Sequence, residues 1–361
     1  MMRRIRHTRP LCEIGDQLLV AHGRALYLTD RAFARQAYLA TLPGSPLKRV
    51  LSRFRLCRRI LRMDPTVAVA MDAGQVLILA GRELWRLEIA AKQLVHEFTI
   101  PGGRKALNVT RCEGIAGIAD GYYFGDYWDN GAMLAAASVW FRPLQEANWR
   151  EAHRFAAGEF EHIHNIVPDP YRQCLWVLTG DWGQGSCIWQ VRDDWREVVP
   201  VLRGEQRYRA VWLYPMEDAL IYATDSNLEQ NYLFRMRQAG GQWEVEQLAE
   251  LPGSSIYAAA LAEGVCFSTT VEPGKPSGNL VYDLLIENKL GPGILDDAAR
   301  LYYYSPRTGL HELLRGKKDL FPMRLCQFGT FQFGASATHC YAYGAALKHY
   351  DDCLLAIDIP T

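Results

Sequence analysis

Along most of the chain the apolar positions come in short runs rich in β-branched and aromatic residues, punctuated by Gly, Asp, Asn and Pro, and helical periodicity is largely absent. That pattern predicts an all-β chain. One kind of run, an apolar strand ending in a small residue and a turn, occurs seven times: QLLVAHG, VLILAGR, YYFGDYW, LWVLTGDWG, LIYATDSN, VCFSTTVEPG and CYAYGAAL. Most are followed by a second apolar run such as ALYLTD, SVWFRPL or CIWQVRD, and then by a more polar one such as WREAHRF or WEVEQLAEL. Small-residue runs such as CEGIAGI, HIHNIVP, YRAVWLY and IYAAALA stand before several of them. Four strands repeating at roughly 45-residue intervals, the first rich in Gly and Ala, predict the blades of a β-propeller. Seven four-stranded blades in a single domain over residues 1–361 is the expectation, with six the alternative. After CLLAIDIPT the last blade lacks an outer strand, so RIRHTRPLCEI either completes it or supplies the first blade's inner strand.

Two segments break the rhythm. Residues 46–64, PLKRVLSRFRLCRRILRMD, predict a basic amphipathic helix packed on the propeller with a solvated cationic face, or one that meets an anionic lipid or acidic glycan. Residues 273–300 predict a long excursion between the second and third strands of blade six.

Charge removes some function classes. Lys+Arg and Asp+Glu are 40 each, so no global field recruits nucleic acid. No apolar run is long enough to span a membrane, and the N-terminal basic stretch is interrupted by Pro10, Cys12, Glu13 and Asp16 before a signal-peptide core could form. The nine scattered cysteines, with no C-x-x-C, suggest free thiols in a reducing cytoplasm. No phosphate-binding loop, nucleophile elbow or H-E-x-x-H motif occurs.

Aligning the blades places Glu113, His164, Arg209 and Tyr257 ahead of four inner strands, with Asp126, Asp181, Asp225 and Glu272 lying 13, 17, 16 and 15 residues further on. In an antiparallel pair the start of one strand lies beside the end of the next, so these groups are expected on one rim, with Arg111, His162, Arg207, Tyr208 and Arg324 nearby. Such a rim suits an acidic sugar: carboxylates bind hydroxyls, Arg209 clamps a carboxylate, and Trp128 and Trp182 stack on a pyranose. The alternative is that the turn aspartates only cap tight turns. His162 and His164 share a strand face, and acid–base work or substrate binding is expected of them rather than a cofactor; a divalent metal with Asp181 is the other possibility. Tyr257 beside Glu272 has the form of an activated tyrosine nucleophile, and any two of the four carboxylates have the form of a hydrolytic pair.

The segments YYFGDYWDN, HIHNIVPDPYRQCLWVLTGDWG, YRAVWLY and IYATDSNLEQNYLFRM resemble sialidase-like bacterial β-propeller proteins, best between Glu113 and Glu272. The resemblance implies that His162, His164, Asp181, Arg209 and Asp225 line the mouth of a propeller, and that the protein accompanies polysaccharide assembly. True sialidases carry Asp-box hairpins, which here are degenerate. The resulting expectation is a glycoside hydrolase or lyase acting on an acidic bacterial glycan, with Asp181 or Asp225 as acid/base. The alternative is a non-catalytic propeller that binds a glycan or a glycan-assembly protein.

Overall fold

The computed structural model describes residues 2–359. The strands form seven antiparallel sheets, the four-stranded blades of a seven-bladed β-propeller, the last of which is joined by the short fifth strand Thr270–Val271. By packing, the chain divides into two compact units, one holding the residues up to His96 and from Pro252 onward, the other Glu97–Leu251.

The second unit holds blades three, four and five. Their second strands, Gly121–Gly125, Cys174–Thr179 and Leu220–Thr224, are buried at every position, which explains their unbroken apolar runs. Outer strands alternate instead, as in Gln242–Leu251, because only one face is covered. Each third strand shifts register against its outer neighbour, at Val139/Trp140, Ile188/Trp189 and Leu233/Phe234. The repeated aliphatic–aromatic pair in the sequence is thus the site of a bulge that increases the local twist.

In the first unit the N-terminal ambiguity resolves both ways. Met2–Arg6 pairs with Cys353–Ile357 as the outer strand of the last blade, and Arg9–Ile14 is the inner strand of the first. Ile5 packs beside Leu18, Val20, Tyr341 and Leu354, so this pairing also closes an apolar cluster. After the second strand of blade six, Gly264–Ser268, the chain pairs Thr270–Val271 with the inner strand of the last blade; the excursion follows, carries helix α3 (Leu280–Leu285), and returns as the third strand of blade six, Ala298–Ser305.

The basic segment departs from expectation. It is two short helices, α1 (Pro46–Leu51) and α2 (Arg55–Ile60), the first capped by Ser45, whose Oγ accepts the Lys48 N–H. Arg55, Arg58 and Arg59 point inward, whereas Lys48, Arg49, Arg53 and Arg62 stay exposed. Arg55 makes a bidentate pair with Asp351 at 3.0 and 2.7 Å and reaches Asp64 at 3.1 Å. Arg58 spans Asp64 and Asp352, and Arg59 holds Asp319 at 2.6 Å and the Cys326 carbonyl at 2.8 Å. Apart from Asp64, the acids that draw these three arginines in lie far away in sequence, so helical periodicity alone does not show which face they take. All nine cysteines are free and all but Cys57 are buried. Among the described residues no helix is long and apolar enough to cross a membrane.

Burial works against ionisation of Asp351, but its hydrogen bonds from Arg55 and the charges of Arg55 and Arg59 outweigh this and hold the carboxyl below its ordinary value. A depressed pKa contributes stability that is complete above the unfolded value of about 3.9 and is lost as pH falls through the folded one. Asp351→Asn should therefore be less stable than wild type by a constant margin above about pH 5, a margin that narrows below about pH 4. Urea unfolding across that range measures it.

Candidate functional site

The functional groups of the second unit gather around the turn after the second strand of blade four. Gly180 sits at φ +68°, and a Cβ there would lie 2.1 Å from the Gly185 carbonyl oxygen, so only glycine fits. That bend presents Asp181, whose own backbone is pinned from three sides. Its N–H donates to Glu161 Oε2 at 2.9 Å, and its carbonyl accepts from Gln206 Nε2 at 2.7 Å and, more loosely, from Arg209 Nη1 at 3.5 Å.

His162 lies just before the adjoining inner strand Ile163–Asp169 and His164 within it, at a register shift between Ile163 and Asn165, and both side chains turn to Asp181. His162 Nδ1 lies 2.9 Å from the Trp128 carbonyl, and His164 Nδ1 lies 2.9 Å from that of Ala210. A carbonyl only accepts, so each Nδ1 carries the proton and each Nε2 presents a lone pair. The two Nε2 atoms are 3.0 Å apart, and Asp181 Oδ1 lies 3.2 Å from that of His164 and 3.6 Å from that of His162. Three lone-pair atoms at these separations, with both histidines buried, require a proton or a cation among them. The spacing is that of ligands placed about 2 Å from one ion, so the residues fit a small divalent cation.

Burial disfavours the charged form of Asp181, yet a proton on a histidine Nε2, which the cluster needs when no cation is there, donates to it, and with the Arg209 charge this holds its carboxyl well below the usual carboxylate range. Arg209 Nη2 stands 3.1 Å from Asp181 Oδ1 and 3.3 Å from Asp225 Oδ2. Asp225 is itself buried, and its Oδ1 makes no hydrogen bond. The triangle opens on a cavity of about 490 Å³ whose wall includes Lys105, Tyr127, Trp128, Asn130, Glu161 and Trp182. Trp182 is 43% exposed, with the Arg209 guanidinium 5.3 Å from its ring centre, and the Tyr127 ring packs 4.3 Å from His162.

Of the residues singled out from sequence, His162, His164, Asp181, Arg209, Asp225, Trp128 and Trp182 are brought together here. Asp126 is wholly buried: it accepts from Ser138 N at 2.9 Å and Trp140 Nε1 at 3.0 Å, and pairs with Arg104, which in turn covers Trp128. Its oxygens are used inside the blade. Glu113 lies at the other end of blade three, in an exposed pair with Arg111 at 2.6 Å. The inner strand there is Thr110–Cys112, and the EGIAG that resembles a strand is a turn with Gly114 and Gly117 at positive φ. Tyr257, Glu272 and Arg324 belong to the other unit. Glu272 Oε1 accepts from Ser254 at 2.6 Å and from Thr270, and Arg324 donates to the Gly274 carbonyl, fastening the excursion. Burial pushes the Tyr257 phenol up despite Arg9 and Arg62, the reverse of what an ionised nucleophile needs.

Sequence reasoning passed over Glu161, Lys105 and Tyr127. A signal for Lys105 was present, since KALNV in blade three parallels HIHNI in blade four. Asn108 and Asn165 each accept the next residue's N–H, at 3.0 and 2.9 Å, and bond to each other at 3.2 Å, so Lys105 takes the place of His162 one blade earlier.

No family model matches the chain, and no curated protein matches it. Solved structures do. An oligogalacturonate lyase in complex with manganese is 12% identical with a TM-score of 0.58, covering 99% of this chain and 91% of that one. The oligogalacturonate lyase of Vibrio parahaemolyticus is 11% identical with a TM-score of 0.56, covering 98% and 89%. A chain of the mitotic checkpoint complex is 10% identical with a TM-score of 0.55, covering 99% and 91%. At such identities the likeness shows the propeller fold alone.

The contrast between a structural and an exposed group is measurable. Asp126→Ala, which leaves Arg104, Ser138 N and Trp140 Nε1 without their acceptor, should cost about 3 kcal/mol in urea unfolding. Trp182→Ala should stay within about 0.5 kcal/mol of wild type.

Proposed function

We propose that this chain is a carbohydrate-active enzyme of the lyase type, acting on an acidic glycan in the cavity beside Asp181. One observation carries the reading: the His162, His164 and Asp181 triangle, whose three lone pairs fit a small divalent cation, opens on a sugar-sized cavity with aromatic and cationic walls. A divalent ion held by these three residues would neutralise a uronate carboxylate and so acidify the proton on the adjacent carbon.

The chain's own groups supply the rest. Trp182 and Trp128 offer ring faces to a pyranose, and exposed Lys105 places an ammonium at the cavity edge for a second carboxylate of the polymer. Arg209 keeps Asp181 ionised and fixed. The base that takes the α-proton is drawn from the wall, where Glu161 carries the carboxylate and Tyr127 the phenol. As the base takes that proton, its electron pair forms a carbon–carbon double bond and the glycosidic oxygen leaves from the β-carbon, so no water is consumed. The manganese-bound oligogalacturonate lyase of the same fold and the sialidase-like sequence resemblance both support an acidic-sugar class. A second reading, glycan binding without turnover, is favoured by Glu161 Oε2 being already engaged by the Asp181 N–H.

Wild-type protein should bind Mn²⁺ in calorimetry, and His164→Ala should weaken that binding by about a hundredfold or more. With oligogalacturonate and other uronate oligosaccharides, wild type plus Mn²⁺ should generate the ultraviolet absorbance of an unsaturated uronide. Glu161→Gln should keep Mn²⁺ affinity and lose about 10³ in turnover. Sugar binding with no unsaturated product would replace the lyase by the binding reading; absence of both would overturn each.

A further inference from the structure

The inward turn of the arginines in α2 leaves an unusual surface on the first unit. Twelve of the nineteen large apolar side chains that stand exposed among the described residues lie on 46–61, on 280–286 or at 320–321. Leu47 is 67% exposed, Phe54 60%, Leu280 70% and Leu320 95%. Exposed apolar side chains scattered singly are normal, but clustering on three segments is not.

The three segments are laced into one assembly. Helix α4 (Met323–Cys326) packs against both α2 and α3. Arg59 of α2 holds Asp319 and the Cys326 carbonyl, Asn288 of the excursion accepts the Met323 N–H at 3.1 Å, and Arg324 fixes the Gly274 carbonyl. The arginine pairs therefore fasten the helices by their polar sides and hold their apolar sides outward.

Over 44–63 and 274–293 the charges left exposed have one sign, and exposed Asp297 at the end of the excursion is paired with Lys317 at 3.4 Å. Between Gly44 and Met63 there is no acidic residue, and Lys48, Arg49, Arg53 and Arg62 are exposed. In the excursion between Gly274 and Gly293 the only acids are Asp283 and Glu287. Both are buried, and Asp283 caps Ser277 N at 2.9 Å, whereas Lys275 and Lys289 are exposed. Outward apolar side chains flanked by cations, with acids withdrawn, match the interface of an anionic bilayer, where side chains such as Phe and Leu enter the acyl boundary and Lys and Arg meet lipid phosphates. We propose that this face docks the protein on an anionic membrane surface, as a peripheral attachment through α1, α2, the excursion and the 320–321 loop.

The test is co-sedimentation with vesicles of phosphatidylcholine containing about one-third phosphatidylglycerol, against phosphatidylcholine alone. The full-length protein should bind the anionic vesicles and be released by high salt. Leu47→Asp with Phe54→Asp, and separately Arg49→Glu with Arg53→Glu, should each weaken binding about tenfold or more while leaving the thermal midpoint unchanged, because all four side chains are exposed. Failure to bind anionic vesicles, or binding that neither double variant reduces, would overturn the proposal. So would concentration-dependent dimerisation without lipid that Phe54→Asp abolishes, since a second copy would then be the occupant.

Discussion

Two imidazole nitrogens held 3.0 Å apart, each ring's proton committed at its other nitrogen, face the half-buried Asp181 carboxylate. Left alone, three lone pairs in so small a space repel, and burial removes the water that would screen them. The surrounding chain holds them together all the same: Gly180 makes the bend, Glu161 and Gln206 pin it, the carbonyls of Trp128 and Ala210 orient the rings, and Arg209 balances the aspartate. A framework that forces acceptors together is preorganised for a positive charge, and the functional reading follows from that constraint.

The same accounting runs through the first unit with opposite sign. There Arg55, Arg58 and Arg59 are brought inward against Asp64, Asp319, Asp351 and Asp352. Removing one partner of such a network strands a buried charge, so the helices keep this orientation. Its consequence is an apolar outer surface that a purely local view of the segment would place inside.

The blades were legible because largely buried second strands leave uninterrupted apolar runs and because most third strands carry an aliphatic–aromatic pair. The cluster in blade four was legible from H-x-H and the Gly-Asp turn. Blade three misled, since EGIAG has the composition of an inner strand but the backbone of a turn. Asp126 looked equivalent to Asp181 by spacing; what separates them is a ring nitrogen of Trp140 and the guanidinium of Arg104, contacts that no spacing reveals. The orientation of the basic helices was hidden for a related reason, because Asp351 lies 296 residues from Arg55.

Manganese anomalous scattering from crystals of the wild-type protein grown with Mn²⁺ addresses the central claim most directly. The account predicts a single strong peak in this part of the molecule, within about 2.3 Å of Nε2 of His162, Nε2 of His164 and Oδ1 of Asp181. A map with no peak there, and with the two nitrogens still at hydrogen-bond separation around a shared proton, would contradict it.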